Sequence, residues 1–130
     1  MAGSFSDYLE DKLLKHAFTN TAYTPATTLY VGLYTAAPTD AGGGTQVSGN
    51  AYARVSVAFT VSGTTTLATN SAAVEFAAAT ASWGTIVAVG IFDAITTGNL
   101  LAWADLTTSK TIDTGDIFRI PAGDLDITLS

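Results

Sequence analysis

Two short acidic turns hold the residues of this chain best placed for chemistry. Positions 113–116 read Asp-Thr-Gly-Asp, positions 121–124 read Pro-Ala-Gly-Asp, and Asp124 and Asp126 share one face if the chain is extended there. Paired carboxylates can move protons or hold Ca²⁺, although calcium asks for six or more oxygens and a denser Asp/Asn loop. Gly followed by Asp is equally the ordinary sequence of a tight turn, and that reading is preferred. His16 is the single imidazole, next to Lys15, and no G-x-S-x-G nucleophile elbow accompanies it. A structural or solvent-facing role is expected for it rather than catalysis or pH sensing. The glycines at 42–44 lack the Lys-Ser/Thr and following helix of a phosphate loop. Trp83 and Trp103 read as core anchors. Arg54 opens a strand and could hold a carboxylate within the subunit or between subunits. No constellation for catalysis assembles from these parts, so no enzyme, cofactor or metal is expected.

Composition narrows the classes further. With 130 residues, the chain has the length of one domain, 1–130. Ala and Thr make about a third of it, and charged residues are 12%, about half the usual quarter. The formal charge is −6, and the only basic residues are Lys12, Lys15, Arg54, Lys110 and Arg119. Tracking phosphates needs clustered Lys and Arg, so nucleic acid is not an expected partner. There are no cysteines, hence no disulfide framework or thiolate site. The start has neither a basic n-region nor an apolar h-region, and no run reaches the 18–20 apolar residues of a membrane span. A soluble protein made in a cytoplasm, with no membrane partner, is expected.

The elements that position these residues follow from periodicity. Phe5, Leu9, Leu13 and Ala17 recur every fourth residue, and Leu14 and Phe18 widen the stripe, which predicts an amphipathic helix over 5–19. Ser6 or Asp7 can cap it and Asn20 can stop it. A lone helix of this length is marginal in water, so its apolar side must dock on something. From 27 to 130 the pattern is that of a β domain. Strands are expected at 28–34, 54–61, 73–76, 85–92, 100–106, 111–113, 116–120 and 124–129, with 85–92 and 100–106 forming a hairpin. Residues 36–50 and 62–71 read as polar connections. The sum is an all-β, mainly antiparallel fold, a small β-sandwich or barrel with one N-terminal amphipathic α-helix.

Two strands are apolar on both faces. Leu29, Val31 and Leu33 oppose Tyr30 and Tyr34; Val87, Val89 and Ile91 oppose Ile86, Ala88 and Phe92. One face of an antiparallel sheet normally meets water, so something covers the second face here. The helix and a neighbouring subunit are the candidates. Phe5, Leu9, Leu13, Leu14, Phe18, Tyr30 and Tyr34 are therefore the expected docking residues.

The stretches SDYLEDKLLKHAF, AYTPATTLYVGLYTAAPTDAG, VSGNAYARVSVAF, ATASWGTIVAVGIFDA and GDIFRIPAGDLDITL resemble, in order, successive blocks of a family of small tailed-bacteriophage virion proteins. The resemblance implies a structural component of the virion, without a catalytic motif. Its marks at 52–54, 83–84, 90–93 and 122–125 are more naturally fold determinants than site residues. The leading expectation is a capsid decoration, or cement, protein that stabilises an assembled shell as a homo-oligomer, a trimer favoured, with the major capsid protein as partner. A tail or tail-fibre component bound to tail proteins comes second. A carbohydrate-binding module using Tyr30, Tyr34 and Tyr52 is the alternative from another class.

Overall fold

The alternating segments pair antiparallel throughout in a computed structural model, which describes residues 3–61 and 67–128. In chain order the elements are β1 (Gly3–Phe5), α1 (Asp7–Phe18), β2 (Leu29–Ala36), β3 (Thr45–Gln46), β4 (Val55–Val57) and β5 (Phe59–Val61). They continue with β6 (Leu67–Asn70), β7 (Val74–Glu75), β8 (Gly84–Phe92), β9 (Leu100–Ile112), β10 (Arg119–Ile120) and β11 (Asp126–Thr128). The small all-β fold with one short helix is as expected. The main sheet runs β1-β9-β8-β2, with β3 and β4 both pairing β2; a second sheet runs β11-β6-β5, and β7 and β10 form a separate ribbon.

The two larger sheets are one wall. Only Ala58 separates β4 from β5, so a single chain segment leaves the main sheet and enters the second, a corner of the kind by which strands switch sheets. The wall encloses Val31, Leu33, Val57, Ile86, Val89 and Ile91 from the main sheet with Val74, Phe118, Ile120 and Leu125. Alternation is the cause: residues two apart on β2 fall on the inner face. Aromatic rings fill the centre. Trp83 meets Tyr52 and Phe76 edge-on at 5.4 and 6.4 Å between ring centres, and Phe76 meets Phe118 edge-on at 5.8 Å. The indole N–H of Trp83 donates to the Asn50 carbonyl at 2.9 Å, which satisfies its one polar atom, so it is the core anchor expected.

Several boundaries differ from expectation. Phe5 is not helical; it belongs to β1, and α1 starts at Asp7 because Ser6 caps it, its hydroxyl accepting from the Leu9 N–H at 3.1 Å. The β domain thus does not begin at 27, since β1 is part of its main sheet. At the other end Thr19 caps the helix, and Asn20 has φ 58, the left-handed residue that stops it. The strand expected over 54–61 is broken at Ala58, whereas 100–106 and 111–113 fuse into β9. The connection expected at 62–71 contains β6, with 62–66 outside the described residues; Leu129, the end of the last expected strand, also lies outside them. Ile86 points to the core with Val89 and Ile91 rather than opposite them, because the β8–β9 register slips between Ile86 and Ala88 and the alternation changes phase.

Candidate functional site

The acidic turns are turns. Gly115 has φ 87, the Asp116 carboxylate accepts from the Asp113 N–H at 2.9 Å, and the Asp116 N–H donates back to the Asp113 carbonyl at 3.0 Å. At 121–124 the organiser is Asn70, only 2% exposed, which the sequence did not single out. Its amide N–H groups donate to the carbonyls of Ala72 and Pro121 at 2.9 and 3.0 Å. Its oxygen accepts from the N–H groups of Gly123 and Leu125, both at 3.0 Å. His16 is exposed on α1 and accepts the Tyr23 N–H on Nδ1 at 3.1 Å, a bond that ties the helix end to the following segment. The 113–116 turn, the 121–124 turn and His16 sit on separate parts of the fold with no bond from one to another among the described residues, so the structure does not bring them together.

The second face of the main sheet is where the unexpected organisation lies. Tyr34 and Phe92, 4% and 5% exposed, stack there with ring centres 6.3 Å apart, and Ala88, Val87 and Leu100 pack around them. Arg54 covers Phe92, its guanidinium carbon 3.5 Å from the ring centre. The guanidinium donates to the carbonyls of Ala94 and Thr97 at 2.9 and 2.7 Å and to Gln46 Oε1 at 3.0 Å. No carboxylate lies within 4.0 Å of it among the described residues, so Arg54 clamps a loop rather than an acid. Burial draws the guanidinium below its ordinary value, against the opposing pull of Tyr52, Tyr34 and Asp93. It stays charged at any physiological pH.

The rest of the cover is the first turn of α1 with the 40–43 loop. The Asp7 N–H donates to the Asp40 carbonyl at 2.8 Å, and the Trp103 indole N–H to the Asp40 carboxylate at 2.9 Å. An open pocket of about 440 Å³ remains between these pieces, with Tyr34 and Phe92 among its lining. Carboxylate oxygens of Asp7, Glu10 and Asp40 come within 4.8 Å of one another beside it. The start of a helix favours such charge without any ion.

The expected docking residues therefore separate. Tyr34 is inside the subunit and offers no surface, and Tyr52 also points inward, its hydroxyl accepting from the Leu33 N–H at 3.0 Å and bonded to Gln46 Nε2 at 2.6 Å. Phe5, Leu9, Leu13 and Tyr30 are half-buried. Leu14 and Phe18 are free, 59% and 80% exposed. The start of α1, Ser6 to Tyr8, borders the spare face of the sheet beside Tyr34 and Phe92, while Leu14 and Phe18 of its apolar stripe stay in solvent.

Among the described residues no helix is long and apolar enough to cross a membrane. No curated protein matches the chain. The model of one family, described as podophage GP4 fiber I protein gp80, matches residues 4–128. A match running through β1, the helix and all the sheets shows that this chain belongs to that family, and it is a structural protein of a phage virion.

Proposed function

We propose that this protein is a fibre component of the virion, with the β barrel as its body and α1 as the peg that attaches it to a neighbouring tail protein. The family match carries the reading, because the family is described by a fibre protein. The helix supports it: Leu14 and Phe18 lie one turn apart and stay in solvent, where apolar side chains gain by being covered in an assembly. Homo-oligomerisation, with a trimer favoured, would repeat each attachment contact about a symmetry axis, so that weak contacts add through effective concentration.

Copy number tests the proposal. Quantitative mass spectrometry of purified virions, referenced to the major capsid protein, should find a handful of copies per particle. Hundreds of copies would overturn the fibre reading in favour of a capsid decoration protein bound to the shell.

A further inference from the structure

The barrel wall can be followed strand by strand as β1-β9-β8-β2-β4/β5-β6-β11, and each neighbouring pair is antiparallel. With β4 and β5 taken as one strand turning at Ala58, the described wall has an odd number of alternating members. Its first and last strands, β1 and β11, therefore run in the same sense. Direct closure would need a parallel pair in an otherwise antiparallel wall. None forms: among the described residues β1 pairs with β9 alone and β11 with β6 alone.

Both free edges border one cavity of about 70 Å³, partly open to solvent, with Phe5, Val89, Ala102, Leu125 and Ile127 among its lining. The backbone faces the opening on both sides. The Ser6 N–H donates to the Leu101 carbonyl at 2.8 Å, so the alternation of an antiparallel ladder turns the N–H of Phe5 away from β9. On the other side the Asn70 N–H donates to the Leu125 carbonyl at 3.2 Å, so the N–H of Asp126 turns away from β6. Neither outward N–H meets a partner among the described residues. β1 also carries no charge or proline, two of the common devices that protect an open edge.

We infer that an extended segment of a different virion protein lies between β1 and β11, antiparallel to both, and closes the barrel as its last strand with a small aliphatic side chain in the cavity. The same-sense edges set the direction of the occupant, and the small apolar cavity sets the size of its inward side chain. A second copy of this chain is the poorer occupant, because its described strands are all held in its own sheets. The inference rests on the protein being part of a virion and not on its position in a fibre, so a high copy number would leave it standing.

Hydrogen exchange of the full chain, read by mass spectrometry in intact virions and in purified free protein, tests it. Peptides covering 3–6 and 125–128 should exchange about tenfold or more slowly in the particle, as backbone pairing demands, while the β3 edge at Thr45–Gln46 is unchanged. Equal exchange in particle and free protein overturns the proposal. Protection that appears in the purified protein as its concentration rises overturns it too, since the occupant is then a second copy. Asp126→Pro removes one outward N–H at an exposed edge position without removing a bond to β6. It should enter particles about tenfold less well than Asp126→Ala, a control for the lost carboxylate, while melting like it. Equal incorporation of the two overturns the inference; should the proline variant fail to fold, the exchange comparison decides alone.

Discussion

The guanidinium of Arg54 lies over the Phe92 ring, its central carbon 3.5 Å from the ring centre, while Phe92 stacks on Tyr34 at 6.3 Å. An arginine at the start of one strand thus seals an aromatic pair on the back of the main sheet and fastens the 93–99 loop over it. Arg54→Ala should destabilise the isolated subunit by about 2–4 kcal/mol, combining lost charge-assisted bonds to carbonyls with the lost contact on the ring. Arg54→Lys should recover only part of that, because an ammonium cannot reproduce the planar fork that bonds Ala94, Thr97 and Gln46 together. Denaturant unfolding of the two variants gives the comparison, and a lysine variant as stable as the parent would refute the clamp.

Gly90 is the floor on which that pair rests. A Cβ there would stand 2.9 Å from a ring carbon of Tyr34, 2.9 Å from a methyl of Leu100 and 3.1 Å from a ring carbon of Phe92. The half-buried Leu100 methyl can give way, but the two rings cannot swing away freely, since they are buried and stacked. Gly90→Ala should therefore cost about 1–3 kcal/mol as overpacking, although alanine suits a strand better than glycine. A melting temperature at or above that of the parent would show that the rings can shift at no cost.

What was legible in the sequence was what local alternation encodes. Val31 and Leu33 two apart, and the Thr-Thr-Gly-Asn turn between two apolar runs, were enough to place β2 and the β8–β9 hairpin. Alternation alone sets Ile86 opposite Val89 and Ile91, because a register slip changes phase without changing composition. The corner at Ala58 was invisible because Arg54 to Val61 alternates straight through it. Asn70 carries no local signal because its partners at Pro121, Gly123 and Leu125 are more than 50 residues away, and a buried amide looks like any turn residue until they arrive. Arg54 stands out by its charge, yet its partners are carbonyl oxygens, one of them on the Gln46 side chain, and a ring, which no charge pattern can reveal.

Burial raises the phenols of both Tyr34 and Tyr52 above their ordinary 10.0, against the lowering effect of Arg54 on each and of the Gln46 and Leu33 hydrogen bonds on Tyr52. Above pH about 10 the unfolded chain loses these protons while the folded one keeps them, so the unfolded state binds fewer protons. Stability from both tyrosines is thus complete below that pH and falls as pH rises toward the folded-state values. Denaturant midpoints measured from pH 8 to 11 should decline at the alkaline end. Tyr34→Phe, which removes one phenol whose hydroxyl has no bonded partner among the described residues, should make that decline shallower; an identical slope would mean that Tyr34 ionises as readily folded as unfolded.

The helix separates fold from assembly in a way that two substitutions can expose. Leu13 is half-buried on α1, whereas Phe18, one turn beyond Leu14, is free. Leu13→Asp puts a carboxylate at a half-buried position and should lower the stability of the isolated subunit by about 1–3 kcal/mol. Phe18→Asp adds a charge where water already is, and its effect on the isolated melt should stay within about 0.5 kcal/mol. If Leu14 and Phe18 attach the subunit to a neighbour, Phe18→Asp nevertheless keeps it out of virions, because the same carboxylate would then have to be buried at the interface. A normal melt with wild-type incorporation would remove α1 from the attachment, and a lowered melt would place Phe18 against the subunit's own surface.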